Sequence, residues 1–276
     1  IVSEIASFQQ TDGAILACYH LPRRLASLAG IDADRHVRQP HEGYFASIRP
    51  GERPLKGMPA VTRQASWNIQ EAQALDPNAH VAAWWYTSEG ESTGKPAIVA
   101  GTRCVYFTHV LRPDDPANKL QLLLAMMGHL VPSLWSDAAQ GTLARIGRFG
   151  QYDSYASARQ DIARMDADTQ RASPALAQTE KSRRQALSLV AEEKFVEAIA
   201  AAEQSRQALI EAYCLAQQPL PGEYRAFWCH SAFGVAGMDW HAAVKRLADN
   251  GFTAILPNML WGGVAFYRSA VLPAYK

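Results

Sequence analysis

A strand-helix-strand pattern near the end of the chain constrains the fold more than any other stretch. Residues 225–230 form a short apolar and aromatic run, and residues 252–257 form a second one. Between them, Asp239 is placed to cap a helix and Gly251 supplies the left-handed residue that ends it. The pattern has the length of a βαβ crossover, and both runs are too apolar to leave a face in water. We therefore expect two adjacent, parallel and buried strands.

The carboxyl ends of these two strands predict a ligand site. His230 ends the first run, Asn258 follows the second, and Trp261 precedes two glycines in the next loop. Strand ends and variable loops converge at this edge of a parallel sheet, which is why ligands bind there. An imidazole and an amide can hydrogen bond sugar hydroxyls, and an indole can stack on a sugar ring. We predict that His230, Asn258 and Trp261 bind substrate and that Tyr267 closes the loop. The alternative is that the Trp and Gly residues serve packing and turn geometry.

The same segment resembles the start of the catalytic barrel in family-10-like glycosyl hydrolases, which are bacterial proteins with a TIM-type barrel. Arg225 and Trp228 match the Arg-x-x-Trp that opens this barrel, and residues 247–252 match the helix end and strand start that follow. Residues 265–267 with Ser269 match the family's Ala-x-Tyr-x-Ser run. The resemblance covers about the last fifth of the chain. It implies hydrolysis of O-glycosidic bonds in a polysaccharide, with a cell-envelope glycan as one candidate and an extracytoplasmic location, secreted or periplasmic.

Composition and charge limit the classes of partner. The chain has 276 residues, of which 48% are hydrophobic, so it can bury sizeable cores and form two domains. Its 27 basic and 26 acidic residues leave a net charge of +1, which argues against a surface that holds nucleic acid. No apolar run approaches the length of a membrane span. We expect no nucleic-acid partner and no transmembrane segment in this chain.

The cysteines do not predict a metal site. Cys18, Cys104, Cys214 and Cys229 include no Cys-x-x-Cys pair, and three of them sit inside apolar runs. A free thiol in such a run packs as a small hydrophobic group, whereas a zinc site needs closer clustering. We expect buried structural thiols, no metal and no cofactor, and leave disulfides open.

The first half of the chain predicts an α/β domain. Apolar strands are expected at residues 14–19, 81–86, 96–100 and 104–109, a shorter strand near 44–48, and helices at 22–29 and 116–130. The rest of residues 35–64 predicts a long irregular connection. This order resembles the carboxyl half of a glutamine-amidotransferase-like, flavodoxin-type domain. The strands at 97–99 and 105–109 carry the resemblance. Such domains also occur as accessory domains in sugar hydrolases.

His109 invites a catalytic interpretation through the same resemblance. In amidotransferases, a histidine after the corresponding strand activates a cysteine held at a strained strand-to-helix elbow. A catalytic pair needs both members, and no Gly-x-Cys-x-Gly or Gly-x-Ser-x-Gly occurs in this sequence. Cys104 is no substitute, because its odd spacing from His109 on one strand puts the two side chains on opposite faces. We therefore expect a structural or lost-function role for His109.

Three regions follow from these patterns. Residues 1–140 are predicted to form the amidotransferase-like accessory domain, and residues 219–276 the start of a TIM-type (β/α)8 barrel. Residues 141–218 are rich in Ala, Gln, Glu and Arg, which predicts a helical linker or antiparallel hairpin with a turn at residues 192–194. The chain begins without Met and stops after two barrel strands, so we expect a fragment at both ends.

The leading functional hypothesis is a fragment of a bacterial glycoside hydrolase. Such enzymes need two carboxyl groups that flank the glycosidic bond, and the resemblance places them on later barrel strands. We assign no catalytic residue and expect this chain alone to be inactive. One alternative is a non-catalytic carbohydrate-binding or scaffold protein. A second is an amidotransferase-type hydrolase centred on His109.

Overall fold

The computed structural model describes residues 2–11, 13–218, 220 and 222–275, and it is mixed α/β, as the sequence predicts. The chain divides into two compact units, Ile1–Leu215 and Ala216–Lys276, called here the first and the second unit. The predicted boundary at residues 218 and 219 falls in part on position 219, which lies outside the described residues. In the described part of the chain, no helix combines the length and the apolar character that crossing a membrane requires.

The first unit alternates short helices with strands and then becomes helical. Its strands are β1 Ile15–Cys18, β2 Ile31–Arg38, β3 Phe45–Pro50, β4 Thr62–Ser66, β5 Asn68–Ala74, β6 His80–Tyr86, β7 Ser92–Ala100 and β8 Cys104–Phe107. Its helices are α1 Val2–Gln10, α2 Arg23–Leu28, α3 Pro116–Leu130, α4 Leu134–Arg145, α5 Tyr155–Met165, α6 Ser173–Ala191 and α7 Phe195–Ala216.

Six of these strands form one sheet in the order β1-β8-β7-β6-β3-β4. β1 and β8 are parallel, with Ile15 opposite Cys104 and Cys18 opposite Phe107, whereas the other neighbours are antiparallel. β2 and β5 form a separate antiparallel pair. The carboxyl ends of β1 and β8 therefore meet at one edge of the sheet.

Strand β8 is buried on both of its faces, which explains its unbroken apolar sequence. Phe107 packs into a core with Trp85, Leu122 and Met126, beneath helix α3. Tyr106 points the other way, into a second core that includes side chains of α1, α2 and β2. Alternate residues of one strand thus join two layers of helix to the same sheet.

Helices α6 and α7 pack through small side chains. Ser205 Oγ donates a 2.9 Å hydrogen bond to the carbonyl oxygen of Thr179, and both residues are fully buried. Residues 179 and 205 each lie 13 positions from Glu192, which starts the turn at 192–194, as in an antiparallel hairpin. Glu193, in that turn, has a positive φ of 56°. The turn lies where the sequence predicts it.

The prediction of an irregular connection at residues 35–64 is wrong. β2 and β4 occupy parts of that stretch, and β5 follows it. In β4, the residues turned inward are Thr62, Gln64 and Ser66, and they are buried although they are polar. A search for alternating apolar residues misses such a strand, because its buried face carries hydrogen-bonding groups.

The second unit contains the predicted βαβ crossover. Its elements are β9 Ala226–Cys229, α8 Trp240–Asp249, β10 Ala254–Pro257, β11 Leu260–Trp261 and β12 Val264–Ala265. β9 and β10 pair in parallel, with Trp228 opposite Leu256. The Asp239 carboxylate caps α8 by accepting a 2.7 Å hydrogen bond from the N–H of Ala242, and Gly251 has a φ of 83°. The parallel pairing, the cap and the glycine stop are confirmed.

The expectation that both strands are buried is wrong. Trp228 is 71% exposed and Leu256 is 53% exposed, so one face of the β9–β10 pair is open. The opposite face is covered by α8, where Phe227, Cys229 and Ile255 line a groove together with side chains of the helix. The run of apolar residues therefore reflects one covered face and one aromatic face that lies in solvent.

Candidate functional site

The carboxyl edge of β9 and β10 brings predicted site residues together. The backbone N–H of Asn258 donates a 2.8 Å hydrogen bond to the carbonyl oxygen of Cys229, which extends the parallel ladder by one step beyond β10. His230 follows Cys229 directly. Because side chains alternate along a strand, His230 shares a face with Trp228, and Asn258 shares a face with Leu256. That face is the open one, opposite α8.

A tight hairpin carries Trp261 to this edge. β11 and β12 pair antiparallel, with Trp261 opposite Val264, across the two-residue turn Gly262-Gly263. Both glycines have positive φ, 59° and 78°, which a two-residue hairpin turn of this kind requires and which other residues adopt at a cost. The two glycines after Trp261 therefore fix the hairpin that positions the indole.

The rings of Trp228, His230 and Trp261 form a continuous surface. The ring centroids of His230 and Trp261 are 5.2 Å apart, and those of Trp228 and His230 are 6.2 Å apart. Trp261 is 62% exposed, and His230 is also exposed. We call Trp228, His230, Asn258 and Trp261 the aromatic rim. Sequence reasoning assigned Trp228 to the opening motif and did not place it in the site; its period-two spacing from His230 was the available signal.

The structure does not join Tyr267 to the aromatic rim. Its side chain is 50% exposed, and among the described residues no hydrogen bond or ring contact links it to His230 or Trp261. The preceding residue, Phe266, packs in a cluster with Phe233 and Tyr275, with centroids 5.1 to 5.5 Å apart. Tyr267 closing the loop therefore stays a prediction.

The acidic side chains of the second unit all have partners. They are Glu223, Asp239 and Asp249. Glu223 pairs with Arg225 at 2.6 Å, and this hydrogen bond lowers the pKa of the carboxyl. Asp249 pairs with Lys245 at 2.9 Å, and Asp239 caps α8. The arrangement at this edge can hold a ligand by stacking and hydrogen bonding, and it offers no unengaged carboxylate for acid-base chemistry.

His109 lies in the first unit, buried within a polar network. Its ring nitrogens lie 3.2 Å from Gln64 Nε2 and 3.2 Å from Asn68 Oδ1. Burial lowers the pKa of His109, so the imidazole is held in its neutral form. Cys104 points into the opposite core, where burial raises the pKa of its thiol to about 12. Neither group is placed as half of a nucleophile-base pair.

Most of the network around His109 is not predicted from the sequence. Asn68 also contacts Tyr19 and His36, and Trp67 lies beside His36. One available signal was the Tyr-His pair directly after an apolar strand at residues 19 and 20. Another was the Trp-Asn pair at residues 67 and 68, where one polar strand ends and the next begins.

No protein-family model matches the sequence, and comparisons with curated proteins and with solved structures also found no match.

Proposed function

We propose that the second unit binds a carbohydrate chain at the aromatic rim and that the protein is part of a glycoside hydrolase acting on a polysaccharide. The single observation that carries this proposal is the contact of His230 with Trp261 at the carboxyl edge of two parallel strands. The resemblance of residues 225–269 to the start of a family-10-like hydrolase barrel supports the same class of substrate.

The composition of the rim favours a sugar over other ligands. Trp228 and Trp261 expose broad apolar ring surface, which suits the C–H face of a pyranose. The side chains of His230 and Asn258 can donate and accept hydrogen bonds, which suits hydroxyl groups. None of the four residues carries a permanent charge, so the rim lacks the fixed ionic partner that a phosphate or carboxylate ligand favours.

Hydrolysis needs groups that the second unit does not offer. A glycosidase uses two carboxyl groups across the scissile bond, and Glu223, Asp239 and Asp249 are all engaged elsewhere. We propose that the catalytic acids of the hydrolase lie outside residues 1–276. The second candidate function, carbohydrate binding without cleavage, is favoured by the same engaged carboxylates. An amidotransferase-type reaction has less support, because the partners of His109 are amides and a carbonyl.

A binding experiment on matched variants tests the proposal. We expect chitohexaose or soluble peptidoglycan fragments to bind in calorimetric titration. Trp261→Ala and Asn258→Ala should weaken binding by a factor of about 2 to 12, the range for a stacking or hydrogen-bond loss of about 0.5 to 1.5 kcal/mol. Tyr224→Ala is the control, since Tyr224 is 71% exposed but lies at the amino end of β9.

Melting curves of the same variants separate binding from packing. A rim residue should change the melting temperature little, whereas loss of a core Trp costs about 3 to 5 kcal/mol. Unchanged sugar binding with a collapsed melting temperature would show that Trp261 belongs to a packing cluster. Cleavage of the glycan by this chain would instead refute the placement of the catalytic acids elsewhere.

A further inference from the structure

A strained turn in the first unit lies at the carboxyl end of strand β1. Tyr19 follows β1 directly and has a positive φ of 66°. The N–H of His20 donates a 2.8 Å hydrogen bond to the carbonyl oxygen of Cys18, so Tyr19 is the central residue of a γ-turn. A positive φ in a bulky residue is costly and persists only where the surroundings hold it. Here Tyr106 Oη holds the turn by donating a 2.7 Å hydrogen bond to the carbonyl oxygen of Tyr19.

A buried amide connects this turn to the surface. Asn68 is 2% exposed, and its Nδ2 lies 2.8 Å from Tyr19 Oη and 2.8 Å from His36 Nε2. Its Oδ1 faces Nε2 of His109 at 3.2 Å. Asn68 therefore uses both of its hydrogens on Tyr19 and His36 and its oxygen on His109. Tyr19 and His109 lie just beyond the carboxyl ends of the parallel strands β1 and β8.

The direction of these hydrogen bonds determines which protons remain available. The Tyr19 oxygen and His36 Nε2 are both acceptors from Asn68, so neutral His36 carries its proton on Nδ1. The Tyr19 O–H and the His36 Nδ1–H are then left to donate elsewhere. Within the described residues, neither group donates a further hydrogen bond. A buried amide thus holds two donor groups in fixed positions.

The guanidinium of Arg38 and the indole of Trp67 lie near these donors. Arg38 lies opposite Asn68 in the β2–β5 register and shares a strand face with His36. Its guanidinium carbon is 5.9 Å from the centroid of the Trp67 ring, and the His36 ring is 6.2 Å from that ring. Trp67 is 52% exposed. The surface therefore combines two neutral donors, one planar cation and one exposed ring.

We propose that Tyr19, His36, Arg38 and Trp67 form a binding site for a carboxylate ligand whose sugar ring presents an apolar C–H face, such as a uronic acid. The guanidinium of Arg38 can hold a carboxylate in a bidentate pair, and the Tyr19 and His36 donors complete its hydrogen bonding. The indole of Trp67 packs against the ring. Asn68 and His109 are positioning residues, because they act on the ligand only through Tyr19 and His36.

The test uses the full chain with D-glucuronate as the probe and D-glucose and inorganic phosphate as comparisons. The readout is the indole N–H resonance of Trp67, assigned by its loss in Trp67→Phe. We expect glucuronate to shift this resonance at millimolar concentration, and glucose and phosphate to leave it in place. Arg38→Met should weaken glucuronate binding about tenfold or more, since the ligand loses a charge-assisted hydrogen bond. Tyr19→Phe should weaken it several-fold.

The neighbouring Arg35 supplies the matched control. It lies on the same strand, is 79% exposed and pairs with Glu71 at 3.6 Å, so Arg35→Met should leave glucuronate affinity unchanged. Equal losses in the two arginine variants would show a general charge effect and overturn the site. No shift with glucuronate, or an equal response to phosphate, would overturn the carboxylate assignment. Arg38 is exposed, so its variant remains informative if Tyr19→Phe does not fold.

The proposal of this site and the proposal of the aromatic rim can be refuted independently. Trp261→Ala should leave the response of Trp67 to glucuronate unchanged. A response of Trp67 that disappears in Trp261→Ala would contradict the assignment to the first unit.

Discussion

The ring centroid of His230 lies 5.2 Å from that of Trp261, although one side chain follows strand β9 and the other ends strand β11. Two features of the chain produce this contact. The parallel pairing of β9 with β10 places His230 at the carboxyl edge, and the Gly262-Gly263 hairpin turns Trp261 back toward it. The proposed sugar site therefore depends on the βαβ crossover that carries both residues.

Helix α8 should depend on its cap. The Asp239 carboxylate accepts a 2.7 Å hydrogen bond from Ala242, so Asp239→Ala should cost about 0.5 to 2 kcal/mol. Asp239→Ser should retain most of that stability. Hydrogen exchange of the α8 amides measures the effect locally. Asp249→Ala is the control, because its exposed ion pair with Lys245 is worth at most about 0.5 kcal/mol, and equal effects of the two Ala variants would contradict the role of the cap.

Substitution of alanine at two glycines near the end of α4 should change the free energy of unfolding in opposite directions. A Cβ on Gly147 would lie 2.1 Å from the backbone nitrogen of Tyr155, so Gly147→Ala forces backbone movement and should cost at least about 1 to 3 kcal/mol. Gly141 lies inside the helix with no atom near its Cβ position, so Gly141→Ala should stabilise by about 0.5 to 1 kcal/mol. Urea unfolding measures both, and effects of the same sign would contradict the packing of residues 147 and 155.

Burial of His109 should make the protein sensitive to acid. Its pKa is lowered in the folded state, so the unfolded chain binds more protons below the ordinary histidine pKa of about 6.5. The stability that neutral His109 contributes should be complete above that pH and fall as the pH drops toward the folded-state pKa. One proton gives a slope of at most about 1.4 kcal/mol per pH unit.

The variant His109→Gln isolates this contribution. Urea unfolding between pH 7 and pH 5 should show a smaller decline of the unfolding free energy than in the unmodified protein. His20→Gln, at an exposed position of the same unit, is the control and should retain the full decline. An unchanged decline in His109→Gln would show that other groups govern the acid response.

The thiols should react in an order set by exposure. Cys104 is 2% exposed and burial raises its pKa to about 12, so it should react with a disulfide reagent only when the protein unfolds. Cys214 is exposed, so the expectation of buried thiols is wrong for this residue, and it should react first. Cys214→Ser should remove the fast phase and leave the slow phases unchanged. Rapid labelling of Cys104 in the folded protein would contradict its placement.

Much of the fold could be predicted where apolar periodicity is strong. Helix α3 spans the predicted residues 116–130, and strands β6, β7 and β8 contain most of the residues predicted for them. Apart from Lys119 in α3, their buried positions are apolar or glycine, and apolar periodicity detects such elements. β4 was missed because Thr62, Gln64 and Ser66 fill its buried face, and their stability comes from hydrogen bonds that the sequence pattern does not encode.

The two candidate sites also differ in how far the sequence predicts them. His230 and Asn258 follow the two strands of one crossover, and Trp261 lies in the next loop, so strand ends alone predict their shared edge. Tyr19, His36 and Asn68 come from three separate strands or turns, and only tertiary pairing brings them together. A single sequence does not encode that pairing, so it predicts a structural role for His109 without the partners of the imidazole.

The most direct test of the proposed function is the response of the tryptophan indoles to a bound oligosaccharide. The chain has seven Trp residues, each with one indole N–H resonance. On saturation with chitohexaose or peptidoglycan fragments, the resonances of Trp228 and Trp261 should shift. That of Trp240, on the α8 side of the same crossover, should stay in place. Shifts of Trp240 or of Trp residues in the first unit, with Trp228 and Trp261 unmoved, would contradict the assignment of sugar binding to the aromatic rim.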